Sequence, residues 1–187
     1  MAAIVREGSK GFTEIGLESY HLMNRKIFLT GTVTRDMAVE FVSRLMALEA
    51  ESQEPVWVYL DTPGGEVGAG LTIYDALRLS HVDVNIVCIG RAYSCGAIIL
   101  SSAKKGHRFL YPNAEVMIHE PLMNGLGGSA SNIKSTAETI LKIREKLNRI
   151  LAANTGKTLE EMDRETAYDH YFDATEAVEF GLADYIC

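Results

Sequence analysis

The stretch "GRAYSCGAIIL" (90–100) joins two apolar runs through a small turn with a serine at its centre. The run before it, "VNIVCIG" (84–90), is dense in β-branched residues and predicts a buried strand, and "GAIILSSA" (96–103) predicts the start of a helix. Ser94 therefore occupies a strand-to-helix turn, with Ala92 two residues before it and Gly96 two after. Small neighbours at those places let a sharp turn push a serine hydroxyl out of the fold. Serine is also a common helix N-cap, where its oxygen accepts a backbone N–H and does no chemistry. The turn alone favours the cap, so the rest of the chain has to decide.

Working outward, strand-like and helix-like segments alternate from Ile27 onward: "IFLTG" (27–31), "RDMAVEFVSRLMALEAE" (35–51), "VWVYL" (56–60), "VGAGLTIYDALRLS" (67–80), then "RFLY" (108–111) and "EVMIH" (115–119) beyond the serine turn. In the first helix Ala38, Phe41, Val42, Leu45 and Met46 share a face. Strands separated by helices of this length predict βαβ crossovers and a mostly parallel sheet covered on its faces. In such folds functional groups gather where strands end. "DTPGG" (61–65) follows "VWVYL", Ser94 follows "VNIVCIG", and "EVMIH" ends on His119. Downstream come a Gly-rich segment, "MNGLGGSAS" (123–131), and a long amphipathic helix over about 131–154 with Ile133, Ala137, Ile140, Leu141, Leu147 and Leu151 as its stripe. Thr158 with Glu161 fits a capping box, and Asp173 with Glu176 is a near relative of that pattern. Residues 1–24 carry the weakest pattern and read as an arm, leaving 25–187 as a single domain.

The 187 residues, 47% hydrophobic and 23% charged, suit one globular domain with a substantial core. A formal net charge of −7 without a basic patch argues against nucleic acid or an anionic membrane as partner. Cys88, Cys95 and Cys187 are an odd set without metal-ligand spacing, which suits a reducing, cytoplasmic compartment. Neither a signal-peptide core nor a run of transmembrane length is seen in the sequence.

A serine hydroxyl is a poor nucleophile at neutral pH unless a base takes its proton, and histidine is suited to that transfer. His119 is the best placed of the five histidines; alone, it would more often be a core histidine satisfied by backbone. Attack on an amide also needs donors for the oxyanion. Gly64 and Gly65 lie between a strand and a helix N-terminus, and the Cys95 N–H follows the candidate nucleophile. The loop lacks the Lys-Ser/Thr ending of a P-loop and the glycine spacing of a dinucleotide site. A carboxylate should orient the histidine, and spacing leaves Asp163, Asp169, Asp173 and Asp184 all open. A thiol at a helix start can be acidified, but the Cys95 side chain should point away from Ser94's, which favours a packed residue.

These residues resemble the proteolytic subunit of the Clp proteases, the ClpP family. The resemblance runs through "KIFLTGTV", "LDTPGG", "GLTIYDAL", "GRAYSCGA", "GHRFLYPNAEVMIHEPL" and "ANTGKTLEEMDRET" to "DATEAVEFGLADYI", in family order and spacing. It implies an α/β ClpP/crotonase-like fold of repeated ββα/βαβ units with a mostly parallel sheet, a handle over about 120–155 and an N-terminal arm. It further implies Ser94 as nucleophile, His119 as general base and acid, Asp169 as orienting acid, and Gly65 and Cys95 as oxyanion donors. Gly125, Leu126, Gly127 and Gly128 would belong to an extended strand that pairs with substrate backbone. Trp57 and Tyr59 would fall near the apolar pockets where an unfoldase docks. The family stacks two heptameric rings into a tetradecamer around a closed chamber. Hexameric AAA+ unfoldases feed unfolded proteins into it using ATP, and the subunit itself needs no metal or cofactor.

The usual acidic-Arg pair before the orienting aspartate is replaced by Ala167-Tyr168, and the common Asn-Ser before Pro-Gly-Gly by Asp61-Thr62. Cys95 stands where Met is usual, the Gly-rich segment is longer by a residue, and the link "HLMNRK" (21–26) is shorter. These departures are consistent with a divergent paralogue that works with a second proteolytic subunit. Three expectations follow: a serine endopeptidase subunit, a weakly active structural or regulatory subunit of a mixed ring, and, least favoured, a crotonase-type enzyme that holds a thioester enolate on paired N–H groups.

Overall fold

The computed structural model describes residues 3–8, 11–123, 125 and 127–187. Its elements are β1 (Ala3–Gly8), β2 (Gly11–Gly16), α1 (Leu17–Met23), β3 (Lys26–Thr30), α2 (Arg35–Glu51), β4 (Val56–Thr62), α3 (Val67–Leu79), β5 (Val84–Tyr93), α4 (Cys95–Ser101), β6 (Arg108–Leu110), β7 (Glu115–Ile118), α5 (Ala130–Thr155), α6 (Leu159–Glu165), β8 (His170–Phe172), α7 (Ala174–Phe180) and β9 (Tyr185–Ile186). The main sheet runs β3-β4-β5-β6-β9, all parallel, as the alternation of segments predicts. β7 joins β5 in parallel beyond the end of β6, and β8 closes onto β7 antiparallel.

β5 is longer than its apolar run. Ile86–Cys88 pair with β6, then Arg91–Tyr93 pair with β7. The register against β4 shifts at the same level, between Leu60 and Thr62. The Asp61 carboxylate fills the irregularity by accepting from the Arg91 N–H at 3.2 Å. A bulge of this kind re-aims the strand that follows it. Ser94 is consequently the first residue beyond β5, and α4, which it opens, is buried along its whole length.

Several expectations need correction. Met46 is exposed and Leu48 takes its place in the buried face of α2, because at 100° per residue Met46 lies about 120° from the middle of that face and Leu48 only about 40°. The covering of the sheet is uneven: along β4, Val56, Val58, Leu60 and Thr62 are buried while Trp57, Tyr59 and Asp61 between them are half-buried, whereas Val84–Cys88 of β5 are buried on both faces. Of the α5 stripe, Leu147 and Leu151 reach the core, whereas Ile133 and Leu141 are exposed in the single chain. The described residues between His119 and α5 form no strand, and Gly125 and Gly128 have φ of 77° and 116°, outside the extended region. The weakly patterned 1–24 segment contains the β1–β2 hairpin and α1, which is fastened to α2 by Arg44 donating to Glu18 and to β3 by the His21 ring against Phe28 at 4.7 Å.

Both capping signals are realised, Thr158 with Glu161 on α6 and Asp173 with Glu176 on α7. Among the described residues no buried side-chain nitrogen or oxygen lacks a partner. Among the described residues the most enclosed ion pair is Arg108 with Asp184, at 2.5 Å and 4% and 7% side-chain exposure. Arg108 also donates to the Asn154 and Gly181 carbonyls, at the ends of α5 and α7, and Asp184 accepts from the Gly106 and Arg108 N–H groups. Burial alone would raise the Asp184 carboxyl. The hydrogen bond and charge of Arg108, with those N–H groups, outweigh it and hold the carboxyl below the usual range. Removing the charge leaves a buried guanidinium without its partner, so Asp184→Asn is expected to lose about 3–5 kcal/mol in urea unfolding at neutral pH. A depressed carboxyl stabilises above its unfolded pKa. The gap between wild type and variant should therefore hold down to about pH 4 and close only below it.

Candidate active site

The site is built from the C-terminal ends of β4, β5 and β7. At the first of these the buried Thr62 hydroxyl donates to the Gly31 carbonyl at 2.6 Å and accepts from the Gly64 N–H at 3.0 Å. This holds the Gly64-Gly65 corner against the serine turn. At Gly64, with φ of 90°, a Cβ would lie 2.8 Å from the Ser94 Cβ; at Gly65 it would lie 2.2 Å from the Val33 carbonyl oxygen. Only glycine fits at either place. The Val33–Gly65 bridge is made by Val33 N–H to Gly64 O and Glu66 N–H to Val33 O, at 2.8 and 2.9 Å, which leaves the Gly65 N–H outside it.

Ser94 has φ of 56° and ψ of −120°, a strained conformation for a residue with a side chain. It stands at the N-cap position of α4, yet its side chain makes no capping bond. The capping reading of the sequence is thus replaced by another. Ser94 Oγ lies 2.8 Å from His119 Nε2, and His119 Nδ1 lies 2.9 Å from Asp169 Oδ1. A carboxylate only accepts, so Nδ1 donates to Asp169, and in the neutral imidazole that leaves Nε2 to accept from the serine hydroxyl. The Ser94 N–H donates to the Met117 carbonyl at 2.8 Å and fastens the turn to the strand that delivers His119.

The four open aspartates separate by their partners. Asp163 accepts from the Asn148 amide, Asp173 caps α7, Asp184 holds Arg108, and Asp169 faces His119. The His119 side chain is 13% exposed and that of Asp169 54%. Two supports escaped the sequence reading. Thr62 is one; the other is buried Asn148, whose Nδ2 donates to Asp163 at 2.7 Å and whose Oδ1 lies 3.2 Å from the Thr166 hydroxyl, which itself donates to the Met162 carbonyl at 2.8 Å, while the Thr166 carbonyl accepts from the Glu120 N–H at 2.8 Å. The only sign of the second was a polar residue lying on the apolar stripe of α5.

Beside Ser94 and His119 lies a small cleft with apolar walls: Val67, Ile98, Ile118, Pro121, Leu147 and Leu151. Gly125, Gly127 and Gly128 lie in the segment between His119 and α5, and Leu126 lies outside the described residues. Trp57 and Tyr59 are away from the site on the open sheet face, in an aromatic row where Phe28 stacks on Tyr59 at 4.9 Å, Trp57 packs on Phe109 at 5.8 Å and Phe109 on Tyr185 at 5.6 Å. Among the described residues no group of three His, Cys, Asp or Glu side chains is arranged to hold a metal, and no helix is long and apolar enough to cross a membrane.

Burial pushes the Cys95 thiol up to about 11, against a smaller opposing pull from the Gly65 and Cys95 backbone N–H groups. Burial pushes Cys88 up to about 12. Thiols so protonated are inert. Iodoacetamide at neutral pH should modify one cysteine per native chain, the exposed Cys187, and all three only after unfolding; mass spectrometry of the alkylated protein checks this. A family model described as Clp protease matches residues 11–187, and the chain belongs to that family.

Proposed function

We propose that this peptidase is the serine endopeptidase subunit of an ATP-dependent Clp protease, with Ser94 as nucleophile. The observation that carries the reading is the Ser94–His119–Asp169 chain of hydrogen bonds at 2.8 and 2.9 Å, made by a serine whose backbone strain serves no helix cap. In this reading His119 Nε2 takes the hydroxyl proton as Oγ attacks the scissile carbonyl. Asp169 stabilises the imidazolium and keeps the proton on Nδ1. The Gly65 and Cys95 N–H groups receive the oxyanion, and His119 returns its proton to the leaving amine. Water then enters, His119 deprotonates it, and the acyl-enzyme is hydrolysed.

The reading extends to assembly. The exposed half of the α5 stripe and the open aromatic face are apolar surfaces on a single chain. The first is assigned to a second ring in a tetradecamer, and the face with Trp57 and Tyr59 to an AAA+ unfoldase that spends ATP. The Gly125–Gly128 segment pairs with the backbone of unfolded substrates, becoming extended when it does. The compartment is cytoplasmic.

A second reading, a weakly active structural or regulatory subunit of a mixed ring, is favoured by one feature. Asp169 is the most open member of the chain, and Tyr168 next to it is exposed where the family usually carries an arginine. Hydrolysis of a short fluorogenic peptide without any ATPase separates the two. The first reading expects turnover by the purified protein and fluorophosphonate labelling, both abolished in Ser94→Ala, and a loss of about 10³–10⁴ in kcat for Asp169→Asn. Turnover retained in Ser94→Ala overturns it. Turnover that arises only on mixing with another proteolytic subunit, and still requires Ser94, supports the second.

A further inference from the structure

Three side chains on the outer face of β5, β7 and β8 have no part in the chemistry above. Tyr93 directly precedes Ser94, Glu115 lies four residues before His119, and Tyr171 two after Asp169. Ala92, Val116, Ile118 and Phe172 are the inward-facing residues of these strands, so the three belong to the opposite side. The Tyr93 hydroxyl donates to Glu115 Oε2. The Tyr93 and Tyr171 rings meet edge to face, 5.6 Å between centroids and 89° between planes. Met117 is the register partner of both tyrosines. It is 7% exposed while Tyr171 beside it is 53% exposed, as expected if the two rings close over it. The hydrogen bond to Glu115 pushes the Tyr93 phenol up to about 12, so it remains a proton donor throughout the neutral range.

We propose that Tyr93, Glu115 and Tyr171 form an outer clamp across the three strands, a set of positioning residues that fixes the spacing of Ser94, His119 and Asp169. The inference rests on the reading of Ser94 as nucleophile. Each clamp residue sits within four residues of one triad member, on the strand that delivers or follows it. Cross-strand side-chain pairs set the local approach of neighbouring strands, and small displacements of catalytic groups are costly.

The test is a double-mutant cycle on the purified full-length protein, with Tyr93→Phe, Glu115→Ala and the double variant. Peptide turnover and the rate of fluorophosphonate labelling are read together, with Ser94→Ala as control. Tyr93→Phe keeps the ring and removes only the hydroxyl, so the fold survives. Each single variant should lower kcat and the labelling rate about tenfold with KM within about twofold, and the double variant should fall no further. Wild-type rates in both single variants, losses that multiply in the double, or a change confined to KM would overturn the clamp. In those cases labelling of wild type but not Ser94→Ala leaves the serine reading standing. Wild type that resists labelling overturns that reading and the clamp with it.

Discussion

A strand has two edges, and β5 shares one of them between two partners. Its first half pairs with β6 and its last three residues with β7. Everything at the site depends on that exchange. Had β5 continued along β6, the residue ending β7 would not lie beside the residue ending β5, and Ser94 and His119 would be apart. The exchange takes place where the β4 register shifts, with the Asp61 carboxylate holding the Arg91 N–H. A residue that departs from the usual family pattern thus serves the irregularity on which the site is built.

The strained Ser94 backbone costs on the order of 1–3 kcal/mol. What holds it is enclosure on both sides of the turn. Behind it α4 is buried along its length, which fixes where the helix starts. In front, the Ser94 N–H is bound to Met117, and the Gly64 backbone packs against the Ser94 Cβ. A side chain at Gly64 would require one of these to give way. The same tightness buries Cys95 and keeps its thiol protonated, so two adjacent potential nucleophiles are separated by orientation and burial.

Much of this was legible in the residues. Ser94 and His119 were readable because a functional group at the end of an apolar strand stands out against its run. The capping boxes were readable because cap chemistry is local. Asp169 was not separable from three other aspartates without the resemblance, since each has an ordinary local use and only the three-dimensional partner distinguishes them. Met46 and the outer half of the α5 stripe misled for a related reason. Periodicity marks a face as apolar but does not say whether this chain covers it. The half-open outer face of β4 was written in the alternation of "VWVYL", where Trp57 and Tyr59 read as apolar residues although their pattern has the period of a half-open strand.

The hydrogen-bonded chain is unevenly enclosed. His119 is held between strands, whereas Asp169 sits half in solvent on the turn between α6 and β8. A carboxylate in contact with water interacts more weakly with a neighbouring imidazole, so its placement must come from elsewhere. The backbone supplies it: the Thr166 carbonyl binds the Glu120 N–H next to His119, the Thr166 hydroxyl donates to Met162 within α6, and Asn148 holds Asp163 of the same helix. Asn148 belongs to the half of α5 that reaches the core, and Ile133 and Leu141 to the half that does not. A single long helix therefore carries both an unpartnered apolar surface and the buried amide that sets the turn bearing Asp169, so the geometry of the acid is tied to the seating of α5.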